Sequence, residues 1–312
     1  GQRSDSLQVI GLSPIAAGIG AFLRGHWQTA REWCDRAEPI LAELCTGSDW
    51  ELAVARLIGL QASFFLGDLE PLCRRVPDLV ADADARGDAF AATALRIGLP
   101  HLAWLLRGDE DSSARHLSVA QERCSGSRAD LFQLALLLGK TNMRVYCGES
   151  GRALESVERR WRDWSHTPLL HVQLLRILAW DLRARCLLAA VASRESPGSV
   201  LDGVDAHARS ILREGAPWAR PLALILQACA AQLSLQQERA VALFGQAEDA
   251  CVQCDMAFHA AIARRRLGRL LRGAAGTRLL DESAQWMAAH GVREPDRITE
   301  VFAPGAARFR DA

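Results

Sequence analysis

The chain has 312 residues, of which 49% are apolar and 24% charged, and its 37 basic side chains balance its 37 acidic ones. That composition is globular rather than disordered, and the charge balance argues against a chain-wide nucleic-acid footprint, which needs an excess of cations. No apolar run of membrane-spanning length is free of charge, since even the stretch 169–192 carries Arg176, Asp181, Arg183 and Arg185.

Strand formers are scarce, with a single tyrosine, while Ala, Leu, Arg and Glu dominate, so helix is expected throughout. Lys140 is the only lysine, and the arginine-rich usage fits a high-GC bacterial genome. The nine cysteines are odd in number and scattered, and most fall on apolar helical stripes, as Cys34, Cys186 and Cys229 do. They are expected to be small buried hydrophobes in a reducing cytoplasm rather than a disulfide framework. The opening at Gly1 without an initiator methionine leads us to expect a piece of a longer protein, with a signalling domain attached on its N-terminal side.

In chain order, turn signals that close an apolar helix fall at Gly25, Gly67, Gly108 and Gly148, with spacings of 42, 41 and 40 residues. A further turn follows near Leu235 and another at Gly273, and the intervening copy carries the longer insertion "AVASRESPGSVLDG". Each unit has two halves. The first is apolar almost all round, as in "ELAVARLIGLQASFFLG", "AFAATALRIGLPHLAWLLRG" and "DLFQLALLLGKTNMRVYCG". The second carries one stripe three and four residues apart, as in "TAREWCDRAEPILAEL" and "RAVALFGQAEDAC". A helix apolar on most sides is sandwiched, and one with a single stripe lies outside. The units span 7–45, 49–86, 88–124, 128–164, 168–214, 217–254 and 255–290, and "EPDRITEVF" starts a closing helix within 293–305 with Pro295 in its first turn. The expected fold is therefore all-α, a single right-handed α-solenoid of about seven antiparallel helix pairs with a short capping helix.

Small residues recur where close approach is needed. Ala30 and Ala37 are seven apart, as are Ala240 and Ala247, and Trp27 and Phe244 supply bulk between neighbours. On Gly25, Trp27, Ala30 and Ala37, and again on Ala240, Phe244 and Ala247, the chain resembles tetratricopeptide-repeat proteins, with a period near forty in place of thirty-four. The stretch 264–305 resembles the C-terminus of myxobacterial-type serine/threonine protein kinases that carry repeat arrays, on Arg264 to Arg266, Gly273, Trp286, Met287, Gly291, Pro295, Arg297, Pro304 and Gly305. The resemblance implies an attached kinase or other signalling module. The chain itself holds no glycine-rich phosphate loop, H-R-D or D-F-G.

Catalytic and metal chemistry find little support. "CVQC" at Cys251–Cys254, with His259 nearby, lacks the second ligand pair a structural zinc needs, and Cys251 continues the stripe of Phe244 and Ala247. The histidines are dispersed, and His166 and His171, five apart across Pro168, face different ways and lack helical metal spacing. "LLGKTN" around Lys140 lacks the earlier glycine of a phosphate loop. Asp82, Asp84 and the "DED" at 109–111 read as helix-start charges, and Trp161 and Trp164 of "RRWRDW" as a packing stripe. We expect no catalytic residue, no metal and no cofactor.

Polar residues inside the first helices are more informative. Lys140, Asn142 and Arg144 interrupt one, Arg176, Asp181, Arg183 and Arg185 the next, and Gln227 and Gln232 follow. First helices line the concave face of such an array, so these groups meet either one another, in inter-repeat hydrogen bonds and ion pairs, or a ligand. Lys140, Asn142, Arg144, Arg176, Asp181, Arg183 and Gln227 are the candidate binding residues. The expected function is a non-catalytic scaffold or sensor that takes a protein or peptide in its groove and regulates the attached enzyme. The rival is a metabolite-sensing array of the kind found in signalling ATPases and transcription activators.

Overall fold

The computed structural model describes residues 2–44, 47–124, 131–164, 167–192 and 200–305. His166, Cys45, the first residues of the fourth unit (128–130) and 193–199 of the long insertion lie outside them. Among the described residues there are sixteen α-helices, a π-helical segment at Ile40–Leu44, a 3-10 turn at Pro168–His171, and no strand.

Fifteen helices make seven pairs: α1 (Gln2–Leu23) with α2 (Trp27–Pro39), α3 (Asp49–Leu66) with α4 (Glu70–Ala85), α5 (Ala89–Ala94) and α6 (Leu102–Leu106) with α7 (Glu110–Arg123), α8 (Leu131–Tyr146) with α9 (Ser150–Trp164), α10 (Gln173–Ala192) with α11 (Val200–Arg213), α12 (Ala219–Leu233) with α13 (Gln237–Gln253), and α14 (Ala257–Leu270) with α15 (Gly273–Ala289). Consecutive helices pack on one another along the chain, giving an all-α, solenoid-like fold. The contrast between sandwiched and outer helices is plain in burial: α12 buries nearly every residue, whereas α9 buries only Ser150, Ala153, Val157 and Trp164. Ala30, Ala37, Ala240, Phe244 and Ala247 are fully buried.

The third pair departs from the pattern. Its apolar half reads as one helix, but the chain breaks between α5 and α6. Gly98 takes a left-handed φ of 66° and gives its N–H to the Ala135 carbonyl of α8 at 2.9 Å. Pro100 then disfavours helical geometry at Leu99.

The array curls until its ends meet. Trp27 stacks on Phe65 at 4.1 Å and meets the edge of Trp218, at the head of α12, at 5.4 Å. Phe64 packs edge-on to Phe258 of α14 at 5.5 Å. The first two pairs thus seal against the sixth and seventh, and glycine is required there. A Cβ on Gly25 would stand 2.0 Å from the Trp218 ring, and one on Gly67 2.6 Å from the Phe258 nitrogen.

Closure encloses the inner face, and the last described helix, α16 (Pro295–Phe302), is inserted into it, touching α8, α10, α14 and α15. Pro295 opens the helix at its first turn. Ile298, Val301 and Ala303 are fully buried and Phe302 nearly so. Phe302 lies 5.1 Å from the Phe258 ring and 5.8 Å from that of Phe64. Burial of such side chains is worth about 2 kcal/mol each.

Candidate functional site

The inner face holds the segment 292–305 through a series of side chains that reach its backbone. Apolar packing fixes the faces of α10, α12 and α14, which leaves long polar side chains of each pointing at the inserted segment. Arg185 of α10 donates from Nη1 to the Val301 carbonyl at 2.7 Å. Arg266 of α14 donates from Nε to the Ala303 carbonyl at 2.6 Å, and Gln232 of α12 from Nε2 to the Gly305 carbonyl at 3.2 Å. The accepting carbonyls are two residues apart. Val301 lies in the last turn of α16, and the chain leaves the helix at Ala303, with φ −141° and ψ 73°. Two further contacts anchor the start of the segment. The N–H of Arg293 reaches the Leu106 carbonyl at 2.8 Å, and Arg297 Nε reaches that of Tyr146 at 3.1 Å.

Arg185 is the centre of this arrangement. Only 5% exposed, it also holds Asp181 Oδ2 at 2.8 Å through Nε and Asn142 Oδ1 at 3.1 Å through Nη1, and its guanidinium lies 5.1 Å from the Phe302 ring. Burial raises the Asp181 pKa, with Arg185 opposing it. A cavity of only about 30 Å³ remains beside Asn142, Asp181, Arg185, His259 and Phe302, room for about one water molecule. Asn142 Nδ2 and His259 Nδ1 have no hydrogen-bond partner.

The other candidate binding residues engage neighbouring helices. Lys140 donates to Gln121 of α7, and burial, followed by Arg144 and Arg160, lowers its pKa. Arg144 reaches Ser156 and the Arg152 carbonyl of α9. Arg176 grips Glu214 with two bonds of 2.6 Å and takes the Leu170 carbonyl. Arg183 holds Glu158 at 2.8 and 3.0 Å and lies over the Trp161 ring at 4.6 Å, so that this tryptophan packs against the chain's own arginine. Gln227 sits half-buried on α12. The structure thus brings Asn142 and Asp181 to the inserted segment and places Lys140, Arg144, Arg176 and Arg183 in contacts between helices.

A second polar cluster forms where α14 meets α16. Arg265 holds Asp296 at 2.7 Å and Arg269 holds it at 2.5 Å, while Arg266, with no exposed surface, lies 2.8 Å from Glu300. Burial opposes ionisation of Asp296, but Arg265 and Arg269 outweigh it and lower its pKa. Arg266, Arg269 and the backbone-binding role of Gln232 escaped the sequence reading, because three consecutive arginines resemble a solvated face. The available signal was the four-residue stripe Phe258, Ile262, Arg266, Leu270, which puts Arg266 on the buried side.

Among the described residues no cluster of His, Cys, Asp and Glu has the arrangement to hold a metal ion. Cys251 is fully buried and burial drives its pKa up; burial also raises that of Cys254, so neither favours the nucleophilic thiolate. Among the described residues no helix is long and apolar enough to cross a membrane. Comparison of the chain with known protein families, with curated proteins and with solved structures finds no match.

Proposed function

We propose that this chain is a non-catalytic, peptide-binding helical repeat domain of the tetratricopeptide type, regulating an attached bacterial signalling enzyme such as a serine/threonine kinase. One observation carries the reading. Arg185, Arg266 and Gln232 donate to the alternate backbone carbonyls of Val301, Ala303 and Gly305, where the chain runs out of α16, and an apolar pocket takes Phe302 among them. Backbone recognition with a side-chain anchor is the chemistry of peptide capture. Here the inner face is occupied by residues 292–305 of the same chain, so a partner peptide must compete with them.

The test uses the full chain with Ile298→Ala and Phe302→Ala, which loosen the segment, and a fluorescent peptide of sequence 292–305. Anisotropy should show binding at least about tenfold tighter than to the unaltered chain, as expected when the competing state is depopulated. Equal or absent binding to both would overturn the reading.

The metabolite-sensing alternative is favoured by one feature, a cleft of about 540 Å³ bordered by α14, α15 and α16, within the usual range for small-molecule sites.

A further inference from the structure

The cleft beside α14, α15 and α16 has an unusual charge arrangement. Gln232 and Arg266 line it from the inside, Arg269 and Glu300 from one flank, and Gly273 and Thr277 of α15 from the other. Arg266 is completely buried, yet among the described residues its Nη1 finds no hydrogen-bond partner, although Nε donates to Ala303 and Nη2 pairs with Glu300. Leaving one arm of a buried guanidinium unpaired is costly. Gln232, only 6% exposed, spends its Nε2 on Gly305 and leaves Oε1 without a partner. One unpaired donor and one unpaired acceptor therefore border the same space.

The N-terminus of α15 opens on this cleft. It carries no side-chain cap and no acidic residue in its first turn. Free N–H groups and the helix dipole there favour an anion. Three guanidinium groups, Arg265, Arg266 and Arg269, meet the two carboxylates of Asp296 and Glu300 here. Burial lowers the Arg269 pKa; Asp296 opposes this, and Arg266 and Arg265 add to it.

We propose that this cleft binds a small anionic metabolite, a phosphate ester or a carboxylate that also carries a hydroxyl or amine. The anion sits between Arg266 Nη1, Arg269 and the α15 N-terminus, and the hydroxyl or amine donates to Gln232 Oε1. The proposal deepens the metabolite-sensing alternative and needs residues 292–305 in place, since Asp296, Arg297 and Glu300 line the cleft.

The experiment titrates the full chain calorimetrically with inorganic phosphate, with malate and with succinate at constant ionic strength. Saturable one-to-one binding of phosphate or malate is expected, with succinate, which lacks the hydroxyl, at least about tenfold weaker than malate. Preference for phosphate assigns the site to phosphate esters, and preference for malate to hydroxy-carboxylates. Thr277, in the second turn of α15, is exposed and borders the cleft, so Thr277→Glu places a carboxylate there and should leave the melting temperature little changed. It should nonetheless abolish binding, and Arg269→Gln should weaken it at least about tenfold. Absence of binding by both phosphate and malate, or undiminished binding by Thr277→Glu, would overturn the site. A melting-temperature screen of neutral metabolites separates that failure from failure of sensing as such: a neutral hit without anion binding sinks the anion site alone.

Discussion

Arg185 Nη1 and the Val301 carbonyl lie 2.7 Å apart across 116 positions of sequence, tying the fifth helix pair to the segment that fills the inner face. Arg185 also neutralises the buried Asp181. Arg185→Ala should lower the stability measured by urea denaturation by about 3–5 kcal/mol, the cost of stranding a buried charge. The double variant Arg185→Met with Asp181→Leu should recover most of that loss, because replacing both charges removes the desolvation penalty. A double variant as unstable as the single one would show that the Val301 bond dominates.

Phe302→Ala leaves a void among Phe64, Phe258 and His259. The expected cost is about 3–5 kcal/mol. Hydrogen exchange should place it unevenly, with amides of 292–305 losing protection while those of α12 keep theirs. Uniform loss across the chain would contradict a separable segment.

Acid should weaken the fold through its buried histidines. Burial lowers the His101 pKa to about 4, and burial with Arg185 lowers that of His259 to about 3. Both titrate near 6.5 when unfolded. Depressed folded values mean that the unfolded chain takes up protons first as pH falls. The stability these neutral rings contribute is thus complete above pH 6.5 and is lost progressively from there down to about 4 for His101 and about 3 for His259. The melting temperature should fall through that window. His259 lies among Phe64, Phe65, Phe258 and Phe302, so His259→Phe should flatten the fall while changing little at pH 8.

Gly25 and Gly148 share nearly the same left-handed φ, 79° and 80°. A Cβ on Gly148 meets nothing within 4 Å, whereas one on Gly25 strikes the Trp218 ring. Gly148→Ala should cost about 1–2 kcal/mol of backbone strain. Gly25→Ala should cost clearly more and should disturb the contact between Trp27 and Trp218, read as a change in tryptophan fluorescence. Equal costs would show that the array does not close at this point.

How much of this was readable beforehand depended on range. Paired helices followed from local periodicity: the single stripe of α9 and the all-round apolar character of α12 announce outer and sandwiched positions within about fifteen residues. Pro295 likewise marked the start of α16. The break at Gly98 was hidden, because its N–H is satisfied by Ala135, which lies in the next pair. The polar residues of α8 and α10 were visible as interruptions, but their choice of partner was not. Arg183 settles on Glu158 of α9 and Arg176 on Glu214, just past the end of α11, whereas Arg185, two positions beyond Arg183, turns inward to Val301.

The amino-acid sequence by itself determined an all-helical array and the residues buried between successive helices, since those depend on propensity and a 3.6-residue period. Only the tertiary structure decided that the array closes on itself through Trp27 and Trp218, that residues 292–305 occupy its interior, and that Arg266 is buried at a cleft. The physical reason is separation along the chain. The curvature that brings ends together accumulates from small rotations at every pair, and no local pattern encodes their sum.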